Sequence, residues 1–555
     1  MKAAVRREAL GLLLVLLLGW LVVYPLVLVL SESVGGPGRW TLEAVGRFAR
    51  ERNEWRALGA SLGLSLASAA GAALVGIPLG FLTTRVAFPG RRLVATLLGL
   101  PAVLPPLVGV LAFMFLYGET GFVAHLVRRL LGLSEAPWRL QGPVAVLLVH
   151  VATMYVYFYL FTRAGLAGLD PSLGEAAASL GADQWRSFRR VTLPLLRPAL
   201  AGAGLLVFMT SLASFSAPYI FGGAFRVMTT QIMATRLNGD DRLAMVETAA
   251  LLLLALSGLA LLRRTEGRAD VVGARKGVGP APARVVGPLT RLGAAGLGWG
   301  LGLLLTLPLA VLVLVSFVPR STWTIEALPP VYSLVNYAAM VTDPARLKPL
   351  LTSLWMASAA TGAAVALALA VAVGSRRARV RTGGLLEGLL VLPWAVPGTV
   401  FAIALATTFS VNAPWAGRVV LVGTAWILPL AYLVRNLPVA GRAVLAGVRQ
   451  LDPSLEEAGA SLGAGKARVL RRVTLPLLRP ALAAGASLAF VTAFGDFVTS
   501  ILLYTYDTRP LSLQILAGLR EADLGQAAAF GVILMLVSSA VFFLAGEGTS
   551  EGASG

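Results

Sequence analysis

The sequence contains no cysteine and only two histidines, His125 and His150, in its 555 residues. Without cysteine the chain forms no disulfide and supplies no thiolate nucleophile or iron–sulfur ligand. The two histidines stand far apart, and no group of histidine, aspartate or glutamate has the spacing of metal ligands. We therefore expect no metal site and no catalytic residue in this chain.

Charged residues are also scarce, at 13% of the chain against 57% hydrophobic residues, and the mean hydropathy is +0.79. A water-soluble protein needs more charge to cover its surface, so the composition predicts an all-α polytopic membrane protein. Stretches long enough to cross about 30 Å of hydrocarbon recur along the chain. We predict twelve spans, at 9–30, 57–84, 93–118, 141–162, 199–225, 243–262, 292–318, 349–375, 388–417, 419–434, 480–495 and 524–546.

Acidic residues number 27 against 47 lysines and arginines, which gives a net charge of +20. Such an excess is compatible with nucleic-acid binding, but its distribution argues against it. If both termini lie in the cytosol, most of the basic residues fall on the cytosolic side, as the positive-inside rule requires. The charge pattern therefore predicts a multi-pass membrane protein that contacts anionic lipid and binds no nucleic acid; the family resemblance described below implies the bacterial inner membrane.

A phosphate-binding loop is missing as well. The string nearest to G-x-x-x-x-G-K-[ST] is ASLGAGKA at 460–467, which lacks the first glycine and the closing hydroxyl residue. The chain is therefore not expected to hydrolyse ATP.

One segment is present twice. Residues 169–200 recur at 451–482, 282 positions later, with 25 of 32 residues identical. Each half has an even number of predicted spans, so the halves enter the membrane in the same orientation as parallel six-helix repeats. We predict a first half at 1–262, a Gly/Pro/Arg-rich cytosolic linker at 263–291, a second half at 292–544 and a disordered tail at 545–555.

Each copy of the repeat predicts a short helix followed by a turn and a second helix. Asp170 and Asp452, each followed by proline, are typical helix starts. Gly181 and Gly463 are typical helix ends. A polar, basic segment kept in two copies predicts two copies of one docking surface.

These residues resemble the "EAA loop" of binding-protein-dependent ABC importer permeases. The matching residues are Glu175, Ala176, Ala177 and Gly181 in the first copy, and Glu457, Ala458, Gly459 and Gly463 in the second. Gly459 departs from the pattern, which has alanine there. The resemblance implies the ABC importer permease fold, with each loop forming a coupling helix on one of two ATPase subunits. It also implies a periplasmic or lipid-anchored solute-binding protein, with ATP bound by the partner and no cofactor in this chain.

Prolines interrupt the third and ninth predicted spans at matching places, in LPAVLP at 100–105 and LPWAVP at 392–397. Proline removes a backbone hydrogen bond and kinks or breaks a spanning helix. Paired breaks indicate either a transport path or bending for packing, and the sequence leaves both open.

Asp496 lies in the eleventh span, and Ser214 is its equivalent in the fifth. An intramembrane carboxylate usually faces the bundle interior, where it meets a cationic substrate or a partner such as a hydroxyl or an arginine. Tyr155, Tyr159 and Tyr219 are further candidates for the translocation path, although aromatic residues at helical spacing also serve in packing.

The resemblance extends to fused permeases for ferric iron and for thiamine. The string SFSAPYIFGG at 214–223 is most similar to the ferric-iron type, so ferric iron is the expected substrate. Thiamine, phosphonate and polyamines are the alternatives. A secondary transporter fits the span count and the repeat topology equally, but its strongest repeat is expected in the spans rather than in a cytosolic loop. A non-transporting membrane scaffold is a second alternative, but it would not need the paired proline breaks.

Overall fold

A computed structural model describes residues 2–36, 40–266, 287–323, 328–377 and 380–550. The described residues form helices joined by turns, without a β-strand. The helices of the first half are α1 (Lys2–Leu18), α2 (Tyr24–Ser33), α3 (Glu43–Arg50), α4 (Arg52–Arg85), α5 (Arg91–Gly99), α6 (Pro106–Tyr117), α7 (Phe122–Leu131), α8 (Pro143–Ala167), α9 (Pro171–Ser179), α10 (Gln184–Ser187), α11 (Leu193–Leu212), α12 (Ser216–Phe221), α13 (Met228–Leu237) and α14 (Asp241–Glu266).

The second half begins with a long helix, α15, and its helices then follow an order similar to that of the first half. Its helices are α15 (Pro288–Val315), α16 (Val335–Thr342), α17 (Pro344–Arg377), α18 (Val380–Val391), α19 (Gly398–Thr408), α20 (Ile427–Gln450), α21 (Pro453–Ser461), α22 (Lys466–Val469), α23 (Leu475–Phe494), α24 (Val498–Leu503), α25 (Leu511–Arg520) and α26 (Leu524–Ser550).

Ten helical stretches of the described chain are long and apolar enough to cross a membrane, and a bent pair in the ninth predicted span makes an eleventh. The tenth predicted span, 419–434, has wrong boundaries. Its helix, α20, begins at Ile427 and runs to Gln450. The sequence misjudged it because three arginines lie inside the helix, and each has a partner described below. With α20, which packs on α17 as α8 packs on α4, each half supplies six spans.

The two proline-marked breaks are confirmed. In the third span α5 ends at Gly99, a 3₁₀ turn covers Leu100–Ala102, and α6 begins at Pro106. In the ninth span the pieces on either side of the break meet at 109°. The predicted ninth span is therefore a bent pair, and the predicted third span is interrupted between α5 and α6.

Equivalent hydrogen bonds show that the halves share one fold. The hydroxyl of Ser61 on α4 accepts the N–H of Met228 at the start of α13, at 2.8 Å. In the second half the hydroxyl of Ser353 on α17 accepts the N–H of Leu511 at the start of α25, at 2.7 Å. The same bond satisfies an otherwise free helix N-terminus in each half.

The first span of each half packs on the other half. Helices α1 and α2 lie against α17, α18 and α19, whereas α15 lies against α5 and α6. The Trp20 indole donates to the carbonyl of Trp415 at 2.9 Å, and the Trp299 indole donates to the carbonyl of Pro89 at 3.1 Å. This reciprocal exchange joins the halves into one helical assembly.

Only the ends of the predicted linker and the first part of the predicted tail belong to the described residues. Helix α14 runs to Glu266 and α15 begins at Pro288, so most of the linker lies outside the described residues. Helix α26 runs to Ser550, into the stretch from 545 onward that the sequence predicts to be disordered, and 551–555 lie outside the described residues.

The twin serine contacts predict matched stability losses. We expect Ser61→Ala and Ser353→Ala each to lower the free energy of unfolding by about 1–3 kcal/mol, since each leaves a buried N–H without its acceptor. Thermal midpoints of the purified protein in detergent measure this effect. Ser257→Ala is the control, because Ser257 is exposed and bonds only within its own helix. An unchanged midpoint in both buried-serine variants would contradict the assignment.

Candidate coupling loops and translocation path

Each copy of the repeated segment begins with the same helix cap. A carboxylate oxygen of Asp170 accepts the N–H of Ser172 at 2.9 Å, and Asp452 accepts the N–H of Ser454 at the same distance. These hydrogen bonds from Ser454 hold the pKa of Asp452 below its usual value. The predicted helix starts of α9 and α21 are therefore confirmed.

Each short helix also ends in the same way. Gly181 has a φ of +77° and Gly463 a φ of +81°. The N–H of Ala182 donates to the carbonyl of Ala177 at 3.0 Å, and the equivalent bond in the second half is 3.1 Å. The left-handed glycine conformation closes the helix and turns the chain back toward the membrane. A side chain with a Cβ would be strained at either glycine.

The outer faces of the two short helices, α9 and α21, are exposed. Glu175, Ala176, Glu457 and Ala458 are exposed, and Ala177 and Gly459 are partly buried. The leucines that precede the turn glycines, Leu180 and Leu462, are each 89% exposed. An exposed leucine at the same place in both halves indicates a surface that another protein covers.

Each loop continues into a membrane span without a break. A π-helical turn, Phe188–Thr192 in the first half and Leu470–Thr474 in the second, leads directly into α11 or α23. The second helix of each loop, α10 or α22, is thus continuous with the span that follows it, and a turn joins it to the short helix α9 or α21.

At the ends of α11 and α23 farthest from these loops, the two halves meet through aromatic rings. Phe215 and its equivalent Phe497 have ring centroids 5.9 Å apart. Tyr219 stacks on Phe215 at 5.2 Å, and its hydroxyl accepts a hydrogen bond from Arg520 of the second half. Tyr219, predicted to lie on the path, thus contributes to the contact between the halves at this side of the membrane.

Asp496 lies beside this contact and is buried. It pairs with Arg435 on α20, and one carboxylate oxygen accepts the N–H of Thr499 at 2.8 Å, which caps α24. Of the partners that the sequence left open, a cationic substrate, a hydroxyl or an arginine, the structure provides the arginine and the hydroxyl of Thr499, which donates to Asp496 at 3.2 Å. The preceding Gly495 touches Pro105 at the break in the third span, so tightly that an added Cβ would lie 2.4 Å from the proline.

Ser214, the equivalent of Asp496, belongs to a different polar cluster. Its hydroxyl lies 2.9 Å from Nε2 of His150, while Ser68 and Ser211 lie 2.9 and 3.1 Å from Nδ1. His150 is buried, and the sequence gave no signal for its role except that it is one of two histidines. The position is thus polar in both halves but ionic only in the second.

Tyr155 and Tyr159 stabilise the break in the third span. The Tyr155 hydroxyl donates to the carbonyl of Leu98, and the Tyr159 hydroxyl donates to the carbonyl of Ala95, each at 3.0 Å. Leu98 is among the last four residues of α5, whose carbonyls lack a partner within the helix, and Ala95 lies one turn earlier. In this conformation both tyrosines are buried by that contact, and their place on a path stays a prediction.

On the side of the membrane where the repeated loops lie, a cavity opens between the halves. It contains about 770 Å³ of space, including the part open to solvent. The first half contributes Phe161, Gly202, Leu205, Leu206 and Leu259, and the second half contributes Val391, Leu392, Trp394, Ala395 and Arg442. The halves thus touch through aromatic rings at one face of the membrane and are separated by a cavity toward the other.

Glu247 lies deeper than its sequence position suggests. It is fully buried, and the amide of Gln231 bridges it to Glu54, at 3.3 and 2.9 Å. The sequence gave no sign of Glu54, because its partners come from distant helices. Among the described residues, no group of three or more His, Cys, Asp or Glu side chains is placed to hold a metal ion.

Comparison with known proteins assigns this arrangement to a family. A family model described as "Binding-protein-dependent transport system inner membrane component" matches residues 72–270 and 362–547, once in each half. The chain belongs to this family. A probable ABC transporter permease of Sinorhizobium fredii is 31% identical over 91% of this chain and 89% of its own length.

Two relatives are named for their substrates. The ferric transport system permease FbpB of Actinobacillus pleuropneumoniae is 28% identical over 95% of this chain and 76% of its own length. The thiamine transport system permease ThiP of Escherichia coli is 28% identical over 82% of each. The chain is thus a fused, multi-pass inner-membrane permease subunit of an ABC importer. It is not an enzyme, and it works with a separate ATPase and a solute-binding protein.

The ion pair at Asp496 predicts a charge-dependent defect. We expect Asp496→Asn to assemble normally but to transport poorly and melt earlier, because Arg435 then lacks its counter-charge. Losing one partner of a fully buried pair costs roughly 3–5 kcal/mol, and the 27% exposure of the Arg435 side chain makes the cost here smaller. Uptake into vesicles and thermal midpoints measure the two effects.

The double variant Asp496→Asn/Arg435→Gln is the control. It removes both charges while asparagine still accepts the N–H of Thr499, so it should recover most of the lost stability. If Asp496→Asn transported and melted like the wild type, Asp496 would be only a packing residue.

Proposed function

We propose that each repeated loop binds one ATPase subunit, so that two subunits act on the two halves. The observation that carries this proposal is the pair of identically capped, exposed short helices, α9 and α21, each ending in an uncovered leucine. The helix that follows each of them, α10 or α22, runs directly into α11 or α23, which supports a mechanism in which closure of the ATPase on ATP moves these spans. The chain itself is proposed to bind no cofactor, because ATP is held by the partner.

The proposed orientation puts both termini and both loops in the cytosol. The basic residues of the loops support it, since Arg189, Arg190, Arg471 and Arg472 are all exposed beside the membrane. In this orientation the aromatic contact of Phe215 and Phe497 lies at the outer side. The cavity beside Arg442 then opens toward the cytosol, which corresponds to an inward-facing step of alternating access.

The proposed substrate is ferric iron, delivered by a periplasmic or lipid-anchored binding protein. Support comes from two ferric permease relatives, aligned over 95% and 89% of this chain. Thiamine is the alternative, on the strength of the ThiP relative aligned over 82%. Phosphonate and polyamines, which the sequence analysis gave as further alternative substrates, are retained.

Purification from native membranes tests the assembly. We expect the tagged chain, isolated in mild detergent, to bring with it an ABC ATPase and a binding protein, both identifiable by mass spectrometry. Uptake of radiolabelled ferric ion and of thiamine into vesicles containing this complex then identifies the cargo. Uptake that follows an ion gradient without any ATPase would overturn the importer assignment.

A single-residue test addresses the loops. We expect Gly463→Asp to insert normally but to lose ATPase binding and uptake, because aspartate is strained at a φ of +81° and the docking turn is distorted. Glu175→Lys should weaken docking by reversing a charge on the exposed face. ATPase recovery and uptake in vesicles measure both.

Gly465→Asp provides the matched control. It adds the same side chain two residues away, where φ is −65° and a Cβ would meet nothing within 4 Å. It should therefore retain the ATPase. Normal ATPase recovery and uptake in the double variant Glu175→Lys/Gly463→Asp would contradict the coupling role.

A further inference from the structure

Three arginines follow one another along α20 at intervals of seven residues. Arg435, Arg442 and Arg449 therefore lie close to one face of the helix, two turns apart. That face is turned toward the broken ninth span and its surroundings. Arginine inside a spanning helix is costly unless a counter-charge or a polar cavity accommodates it.

Carboxylates neutralise the first and last of these arginines. Arg435 pairs with Asp496, and Arg449 pairs with Glu387 on α18. Arg442 has no carboxylate within ion-pair distance among the described side chains. Its guanidinium carbon lies 4.6 Å from the ring centre of Trp394 instead.

Trp394 occupies the place where a carboxylate would complete the series. It lies seven residues after Glu387 on the ninth span, just as Arg442 lies seven residues before Arg449 on α20. An indole face holds a guanidinium in position without neutralising its charge or occupying its in-plane N–H donors. Arg442 therefore keeps both its positive charge and its hydrogen-bonding edge.

The free edge of Arg442 has access to the cavity between the halves. Arg442 is exposed and lines this cavity, and the opposite wall is apolar, with Phe161, Leu205 and Leu206 from the first half. Leu160, its equivalent in the first half, carries no charge. The cavity thus has a positive charge on one wall only, and it lies on the side of the membrane where the repeated loops are.

We propose that Arg442 binds an anionic group of the cargo, a carboxylate, phosphate or similar oxyanion, as it passes through the inter-half cavity. Guanidinium recognises such groups through two parallel hydrogen bonds. The inference rests on the proposed transport function and narrows its substrate class. If iron is the cargo, it passes as a complex carrying such an anion, because a bare ferric ion would be repelled by Arg442.

The test compares Arg442→Gln with Arg92→Gln in the permease–ATPase complex reconstituted in vesicles. Arg92 is an exposed arginine of α5 outside the cavity, so its variant removes the same charge elsewhere. Uptake of radiolabelled ferric ion presented by the binding protein should fall about tenfold or more in Arg442→Gln. Arg92→Gln should match the wild type, and ATPase recovery should be normal in both.

Vesicle composition separates cargo from lipid as the source of the anion. Uptake is measured in phosphatidylcholine vesicles with and without phosphatidylglycerol. A loss in Arg442→Gln that is equal in both supports a cargo contact. A loss seen only with phosphatidylglycerol would overturn the proposal in favour of a lipid contact, and wild-type uptake by Arg442→Gln would overturn it outright. If the wild-type complex transported thiamine, which is a cation without an oxyanion, that result would also overturn the proposal.

A binding measurement keeps the inference separate from the transport assignment. We expect sodium sulfate, compared with sodium chloride at equal ionic strength, to raise the thermal midpoint of the purified wild type and of Arg92→Gln by more than that of Arg442→Gln, which keeps only the general stabilisation that sulfate gives any folded protein. The same sulfate-dependent shift in Arg442→Gln would contradict the site even if transport is confirmed. If no vesicle preparation shows uptake, the proposed function fails and this comparison alone decides the role of Arg442.

Discussion

Backbone N–H and C=O groups inside the membrane need partners from the protein, and this constraint shapes the irregular parts of the fold. The third and ninth spans are broken, so their free backbone groups must be satisfied by neighbouring helices. Tyr155 supplies a hydroxyl to the last turn of α5, and Asp496 caps the short helix α24. Ser61 and Ser353 do the same for α13 and α25. The breaks are therefore stable features of the assembly.

The two halves have the same backbone fold at the ends of α11 and α23, but different side chains hold the equivalent residue in place. At the end of α11, Ser214 is held by His150, a neutral arrangement of hydroxyls and imidazole. At the end of α23, Asp496 is held by Arg435, a charged pair. Carbonyls at both places accept a hydroxyl at 2.7 Å, from Thr229 in the first half and Ser512 in the second. These backbone hydrogen bonds are thus the same in both halves, whereas the charged side chains beside them differ.

This asymmetry contrasts with the near-identity of the repeated loops. Two exposed surfaces that bind the same kind of partner have to keep the same residues twice. A path between the halves encloses one cargo at a time, so its walls can differ. Arg442 faces the cavity from one half only, and the aromatic contact between Phe215 and Phe497 closes the far side. In the first half the repeated loop, one wall of the cavity and the aromatic contact follow one another along α11.

The sequence by itself determined the helical membrane fold, the parallel repeat, the paired breaks and the short helices of the two repeated loops. These follow from local signals, namely apolar length, proline, and the aspartate and glycine that start and end a short helix. Only the tertiary structure decided the partners of buried charges. Arg435 meets Asp496 across 61 positions and Trp20 meets Trp415 across 395. The same long-range pairing keeps α20 helical through three arginines, which is why the sequence ended that span too early. Such contacts depend on which helices become neighbours, and hydropathy along one segment carries no information about that.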